Sequence, residues 1–151
     1  MFKKKKDSIM KAFTSIEQSK TLAKILPIES ADMWYAEVYE GKIVGYDYIV
    51  SDTPYYSLSF VKPSENNYSQ NTVKDIPAWS LAALLDVIPK EVKIKGQMYA
   101  PCLFPITDGH WLYRLWYNSN EIIESPIAVW CDNPLDACYE MILKLHKEKL
   151  L

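Results

Sequence analysis

Three cysteines and two histidines are the side chains of this chain best suited to bind a soft metal or carry out nucleophilic chemistry. They are Cys102, Cys131, Cys138, His110 and His146. Two of the cysteines and one histidine fall in the closing segment CDNPLDACYEMILKLHKEKLL, which starts at Cys131. Structural zinc sites use close pairs such as C-x2-C, because two ligands from one turn pre-organise a tetrahedron. Here Cys131 and Cys138 are separated by six residues, and Cys138 and His146 by seven. On a helix that second pair diverges by about 80°. Free cysteine is commonly buried as a small apolar residue, and Cys138 sits where such a residue is wanted. A nucleophilic thiol would need a base in reach and a lowered pKa, and no spacing brings a histidine to Cys131. In TDGHW, Asp108 and His110 invite an acid–base reading, but Asp108-Gly109 is fully explained as a turn. No spacing marks two of the nineteen acidic residues as a catalytic pair. The four glycines form no phosphate-binding loop. The expectation is no catalytic residue, no metal and no cofactor.

The aromatic side chains are the more informative chemistry. Among eleven Tyr, five Trp and four Phe, the residues Trp34, Trp79, Trp111, Trp116 and Trp130, with Tyr35, Tyr113 and Tyr117, lie on or beside strand-like runs. In HWLYRLWY, Trp111, Tyr113, Leu115 and Tyr117 alternate with Leu112, Arg114 and Trp116, so bulky groups point both ways. IAVWC, which ends in Trp130 and Cys131, does the same. A sheet apolar on both faces needs a cover for each. That cover is the long loop, the first helix or a second protein. Tyr and Trp beside an Arg are also common anchors of protein interfaces. Trp111, Tyr113, Arg114, Trp116, Tyr117 and Trp130 are therefore the candidate interface residues. An aromatic-lined small-molecule pocket, binding or enzymatic, is the alternative.

The elements that position these residues read as α+β. SIEQSKTLAKIL carries Ser15 as N-cap with Gln18 three residues on, a capping box, and Pro27 stops the helix. MWYAEVYE and KIVGYDYIV flank Gly41, where a tight turn is expected. YYSLSFV sets Tyr56, Leu58 and Phe60 opposite Ser57 and Ser59, a strand with one wet face. Residues 62–75 read as a surface loop. A second helix is expected from Pro77, at its first turn, to Ile88, with Leu81, Leu84, Leu85 and Ile88 as its buried stripe. Asp108-Gly109 joins two strands as a hairpin, and Pro101 and Pro105 push the first of them toward an edge. The segment 118–120, NSN, reads as another turn. Asn133, Pro134 and Asp136 start the last helix, buried through Cys138, Met141, Ile142 and Leu145. Together these predict one antiparallel sheet of about five or six strands, with helices near residues 15–26, 77–88 and 133–148 packed mainly on one face.

A length of 151 residues fits one domain over 14–151 with a basic arm at 1–13. The net charge of −2 hides an asymmetry: residues 1–11 carry +4 and the remainder −6. A nucleic-acid-binding body is normally basic, so phosphate contact would fall to Lys3, Lys4, Lys5 and Lys6 alone. A lysine-rich terminus is more often a solvated end. No apolar run approaches the ~20 residues of a membrane helix, and no apolar stretch follows the first lysines as in a signal peptide. The expectation is a cytoplasmic protein without a disulfide framework.

The segments SIEQSKTLAKILPIESADMWY, IPAWSLAALLDVIPK and DNPLDACYEMILKLHKEKLL carry a resemblance. In this order they resemble a group of short uncharacterised proteins from gut-dwelling anaerobic bacteria, their phages and integrated mobile elements. The resemblance spans most of residues 14–151, excluding the GYDYIVSDTPYYSLSF segment. It implies a bacterial or phage setting, and attaches no activity. The reading at this level is a non-enzymatic protein that binds another protein or itself as a homo-oligomer. A nucleic-acid-associated protein acting through the lysine arm is the further alternative.

Overall fold

The fold was examined in a computed structural model that describes residues 11–60, 62, 71–116 and 125–151. Three helices and two antiparallel four-stranded sheets make it an α+β protein. The strands expected to share one sheet thus divide between two. Contacts cluster into two compact units, Thr14–Ser80 and Leu81–Leu151, the latter with residues 11–13.

The first unit opens with α1 (Ile16–Leu22). The capping box forms as its spacing requires: the Gln18 N–H donates to Ser15 Oγ at 3.2 Å, and the Ser15 N–H to Gln18 Oε1 at 3.0 Å. After a short 3-10 turn (Ile28–Ser30) comes β1, a twelve-residue strand from Met33 to Val44. Between Met33 and Glu40 it is flanked by β3 (Tyr55–Ser59) and β4 (Asn71–Ala78), both antiparallel. Beyond Glu40, among the described residues, only β2 (Asp47–Val50) accompanies it. Helix α1 packs on β4. The core of this unit is Leu22, Met33, Ala36, Val38, Ile76 and the fully buried Trp79. Trp79 is fixed through its polar atoms. Its indole N–H donates to Ser30 Oγ at 3.0 Å, and its backbone N–H to Thr14 Oγ1 at 3.1 Å.

Three sequence expectations fail here. Gly41 lies inside β1 in register with Val50, and the chain turns at Gly45, whose φ is +66°. Gly41 answers a different demand. The phenol of Tyr48 lies across it, so that an added Cβ would stand 1.8 Å from Tyr48 Oη. Pro77 likewise belongs to β4, opposite Trp34, and α2 starts only at Leu81. Among the described residues β4 pairs with β1 alone, and an edge strand tolerates a residue without an N–H. Residues 71–75, expected in a loop, are the first part of that strand.

In the second unit α2 (Leu81–Val87) precedes a meander of β5 (Val92–Ile94), β6 (Gln97–Pro105), β7 (Trp111–Trp116) and β8 (Ala128–Cys131). Of the α2 stripe, Leu84 and Ile88 are buried, while Leu85 is 42 % exposed. The hairpin at Asp108-Gly109 forms, with Gly109 at φ +88° and the Ile106 N–H donating to His110 O at 2.9 Å. β5 ends opposite Tyr99. From Ala100 onward β6 is therefore an edge, which accommodates Pro101 and Pro105. Helix α3 (Pro134–Lys147) starts as its residues dictate: Asn133 Oδ1 accepts from the Asp136 N–H at 2.8 Å, with Pro134 in the first turn. It packs on α2 and on β6, β7 and β8, and Cys138, Met141, Ile142 and Leu145 are fully buried.

Candidate interaction surfaces

Strand alternation sorts the aromatic candidates of the second sheet. The face beneath α3 holds Tyr113, Leu115 and Val129, all buried. Trp111, half-buried and paired with Cys131, shares that parity. Tyr113 thus belongs to the core of this unit, with Trp111 at its margin. Burial pushes the Tyr113 hydroxyl well above its ordinary value, with the neighbouring thiols Cys138 and Cys102 adding to it. Tyr117 and Lys3, Lys4, Lys5 and Lys6 lie outside the described residues, as does the expected turn at 118–120.

The opposite face carries the remaining candidates. Trp116 is 46 % and Trp130 64 % exposed. Between them Arg114 stacks its guanidinium 4.3 Å from the Trp116 ring centroid and 5.3 Å from that of Phe104. Arg114 has no carboxylate partner among the described residues, and its Nε is buried with no hydrogen-bond partner. The guanidinium is held by ring faces rather than by an anion, a geometry worth about 0.5–2 kcal/mol. The same parity brings Lys93 and the exposed Met98 onto this face. Among its described strand positions the face bears two cations, Lys93 and Arg114, and no Asp or Glu.

A larger apolar surface lies in the first unit, on residues that the sequence reading did not single out. Beyond Glu40, β1 and β2 form a two-stranded ribbon closed at Gly45-Tyr46. One face presents Ile43, Tyr48 and Val50, the other Val44 and Ile49. Ile43 is 68 % exposed, Tyr46 fully so, and the others 39–52 %. Its charged residues are Lys42 and Asp47, with Glu40 and Asp52 just outside it. A cleft of about 440 Å³ runs along it, lined by Glu40, Gly41, Lys42, Ile49 and Ser51. None of these lining residues is aromatic. The adjoining strand β3 behaves similarly. Of its expected apolar face Leu58 is half-buried, Tyr56 is 36 % exposed and Phe60, just past the strand, 81 %, and Lys20 lies 5.6 Å from the Tyr56 centroid. The signal for the ribbon was present in Ile43-Val44 and Ile49-Val50. Adjacent apolar pairs in a strand fill both faces, and a ribbon without a third strand covers neither.

The titratable groups are arranged for structure. His110 Nδ1 lies 2.9 Å from Asp108 Oδ1, and Nε2 lies 3.2 Å from Asp132 Oδ1. The backbone N–H of His110 also donates to Asp108 Oδ1 at 2.9 Å. That bond, with the ring beside it, holds the Asp108 carboxyl below its usual range. The Asp108–His110 pair therefore exists, and closes the hairpin. Burial pushes the Cys131 thiol up, aided by Glu140, Asp136 and Asp132, and pushes Cys138 up to about 12. Neither is poised as a thiolate. Among the described residues no three His, Cys, Asp or Glu side chains gather as a metal site would require. In the first sheet Glu37 is 7 % exposed. Tyr39 donates its hydroxyl to Glu37 Oε1, and Oε2 is buried without a partner. No helix among the described residues is long and apolar enough to cross a membrane.

No protein-family model, no curated protein and no solved structure matches the chain.

Proposed function

We propose that this chain is a non-enzymatic protein-binding protein that associates with copies of itself through the β1–β2 ribbon. The observation that carries the reading is the exposure of Ile43, Val44, Tyr46, Tyr48, Ile49 and Val50 on both faces of one ribbon. An isolated two-stranded hairpin is marginal in water, and a contiguous exposed apolar patch marks an interaction site. An unpaired apolar ribbon also invites aggregation unless a specific partner takes it. The sequence resemblance supports a bacterial, phage or mobile-element setting, in which the cytoplasm is the compartment of action.

Substituting one residue on each ribbon face tests this. Ile43→Asp/Ile49→Asp leaves both cores untouched, so the variant is expected to fold with a melting temperature close to wild type. The wild type should elute from size exclusion with a scattering mass above 17.5 kDa that grows with concentration, and the variant as a monomer. A wild type that is monomeric at all concentrations, or a variant that associates equally well, would contradict the reading.

A further inference from the structure

The motif TDGHW ends on a titratable ring that neither core uses. We infer that His110 is a proton-operated clasp: its charged ring ties the β6–β7 hairpin to the start of α3, and its neutral ring releases one side of that tie. The backbone places the ring. The His110 carbonyl accepts from the Ile106 N–H at 2.9 Å, and the His110 N–H donates to Asp108 Oδ1 at 2.9 Å. The next residue, Trp111, is in register with Cys131. One step further along the antiparallel pair, His110 comes opposite Asp132, and side chains so placed are near neighbours. Asp132 immediately precedes Asn133, the N-cap of α3.

The ring therefore lies between two carboxylates. Nδ1 is 2.9 Å from Asp108 Oδ1, and Nε2 is 3.2 Å from Asp132 Oδ1. A neutral imidazole has one N–H and one bare lone pair. Whichever nitrogen keeps the proton, the other then turns its lone pair on a carboxylate oxygen. Only the imidazolium offers an N–H to both. The hairpin contributes Asp108 to the ring and the β8–α3 link contributes Asp132. Around the adjoining Cys131, α3 adds Asp136, Glu140 and Lys144, of which Asp136 is engaged by Lys11 at 2.9 Å. Among the described residues no Lys or Arg forms an ion pair with Asp108 or Asp132. The clasp closes as pH falls through the ordinary range of imidazole, about pH 5–8, and opens as pH rises through it. The His110 N–H holds the Asp108 carboxyl below its usual range, so that side keeps its charge while the clasp is closed. All the groups lie in the second unit, so the clasp is independent of the ribbon. The His110 side chain is 45 % and the Asp132 side chain 85 % exposed. Exposed ion pairs are weak, and the expected change in local opening is about 1.5- to 5-fold.

Solvent exchange of backbone amides, measured by NMR on the full chain at about pH 5.5 and about pH 8.5, on either side of the imidazole range, tests the clasp. Ile106 and Gly109, whose N–H groups close the hairpin, are the reporters. After correction for the intrinsic rate, their protection in wild type should fall about 1.5- to 5-fold at the higher pH. It should stay level in His110→Gln and in Asp132→Asn, whose side chains are open to solvent and leave the core untouched. His146→Gln alters the other histidine, exposed on α3, and should show the wild-type fall. Level protection in wild type, a fall that survives in either clasp variant, or a fall lost in His146→Gln would overturn the assignment.

Discussion

Cys138 lies in the second turn of α3 with no exposed surface, and its environment suppresses the charged form of its thiol. The folded thiol binds its proton more tightly than the unfolded one, with a value near 12 against an ordinary 9. Its stabilising contribution is therefore complete below about pH 9 and is lost as pH rises toward 12. Burial of Tyr113 against the same helix acts in the same direction. At neutral pH Cys138 should resist a thiol reagent until the protein unfolds, while the half-buried Cys102 and Cys131 react in the native state. Alkaline unfolding followed by circular dichroism should be less steep in Cys138→Ala. Native labelling of Cys138 at the rate of Cys131 would show that the helix does not bury it as described. At this scale the sequence was legible where a residue's role is local. A small apolar position on a helical stripe identifies a core cysteine, and Asp-Gly between strands identifies a turn. Which of the aromatic candidates lies under α3 was not legible, because alternation separates two faces without saying which one a helix covers.

Helix α3 shows how far local chemistry alone places an element. Asn133 takes the orphan N–H of Asp136, and its own amide donates to Asp136 Oδ2 at 2.6 Å. Pro134 enters where a missing N–H costs nothing, and the last turn carries Lys144, His146 and Lys147 toward the negative end of the dipole. Asn133→Ala should lower stability by about 1 kcal/mol, or about 2–4 °C in melting temperature for a chain of this size. Asn133→Asp, which preserves the acceptor, should restore most of it. Equal losses in both would deny the cap its role. The capping box of α1 was readable for the same reason. The start of the second helix was not, because Asp75-Ile76-Pro77 is as good a helix start as Asn133-Pro134. What decides against it is the eight-residue register of β4 on β1, a pairing distant in sequence. Gly41 misled in a related way: glycine marks a place where a side chain cannot go, and here the obstacle was the ring of Tyr48 rather than a turn.

At the scale of the whole molecule, the described residues form two units with a core each. The class of the fold was legible from helices punctuated by proline and strands punctuated by Asp-Gly. The division into two sheets was not, since strand alternation is the same whichever sheet a strand joins. Trp116 and Trp130, singled out from the sequence, are exposed on the face that Arg114 shares, whereas the exposed ribbon was missed because nothing within KIVGYDYIV reveals that no third strand joins it among the described residues. Hydrogen–deuterium exchange across a dilution series tests the central claim most directly, because it reports association and its location together. The backbone amides of residues 42–50 should become more protected as concentration rises, while those of α3 stay constant. Ribbon amides that exchange at one rate at every concentration, above all in samples whose mass exceeds a single chain, would contradict the account.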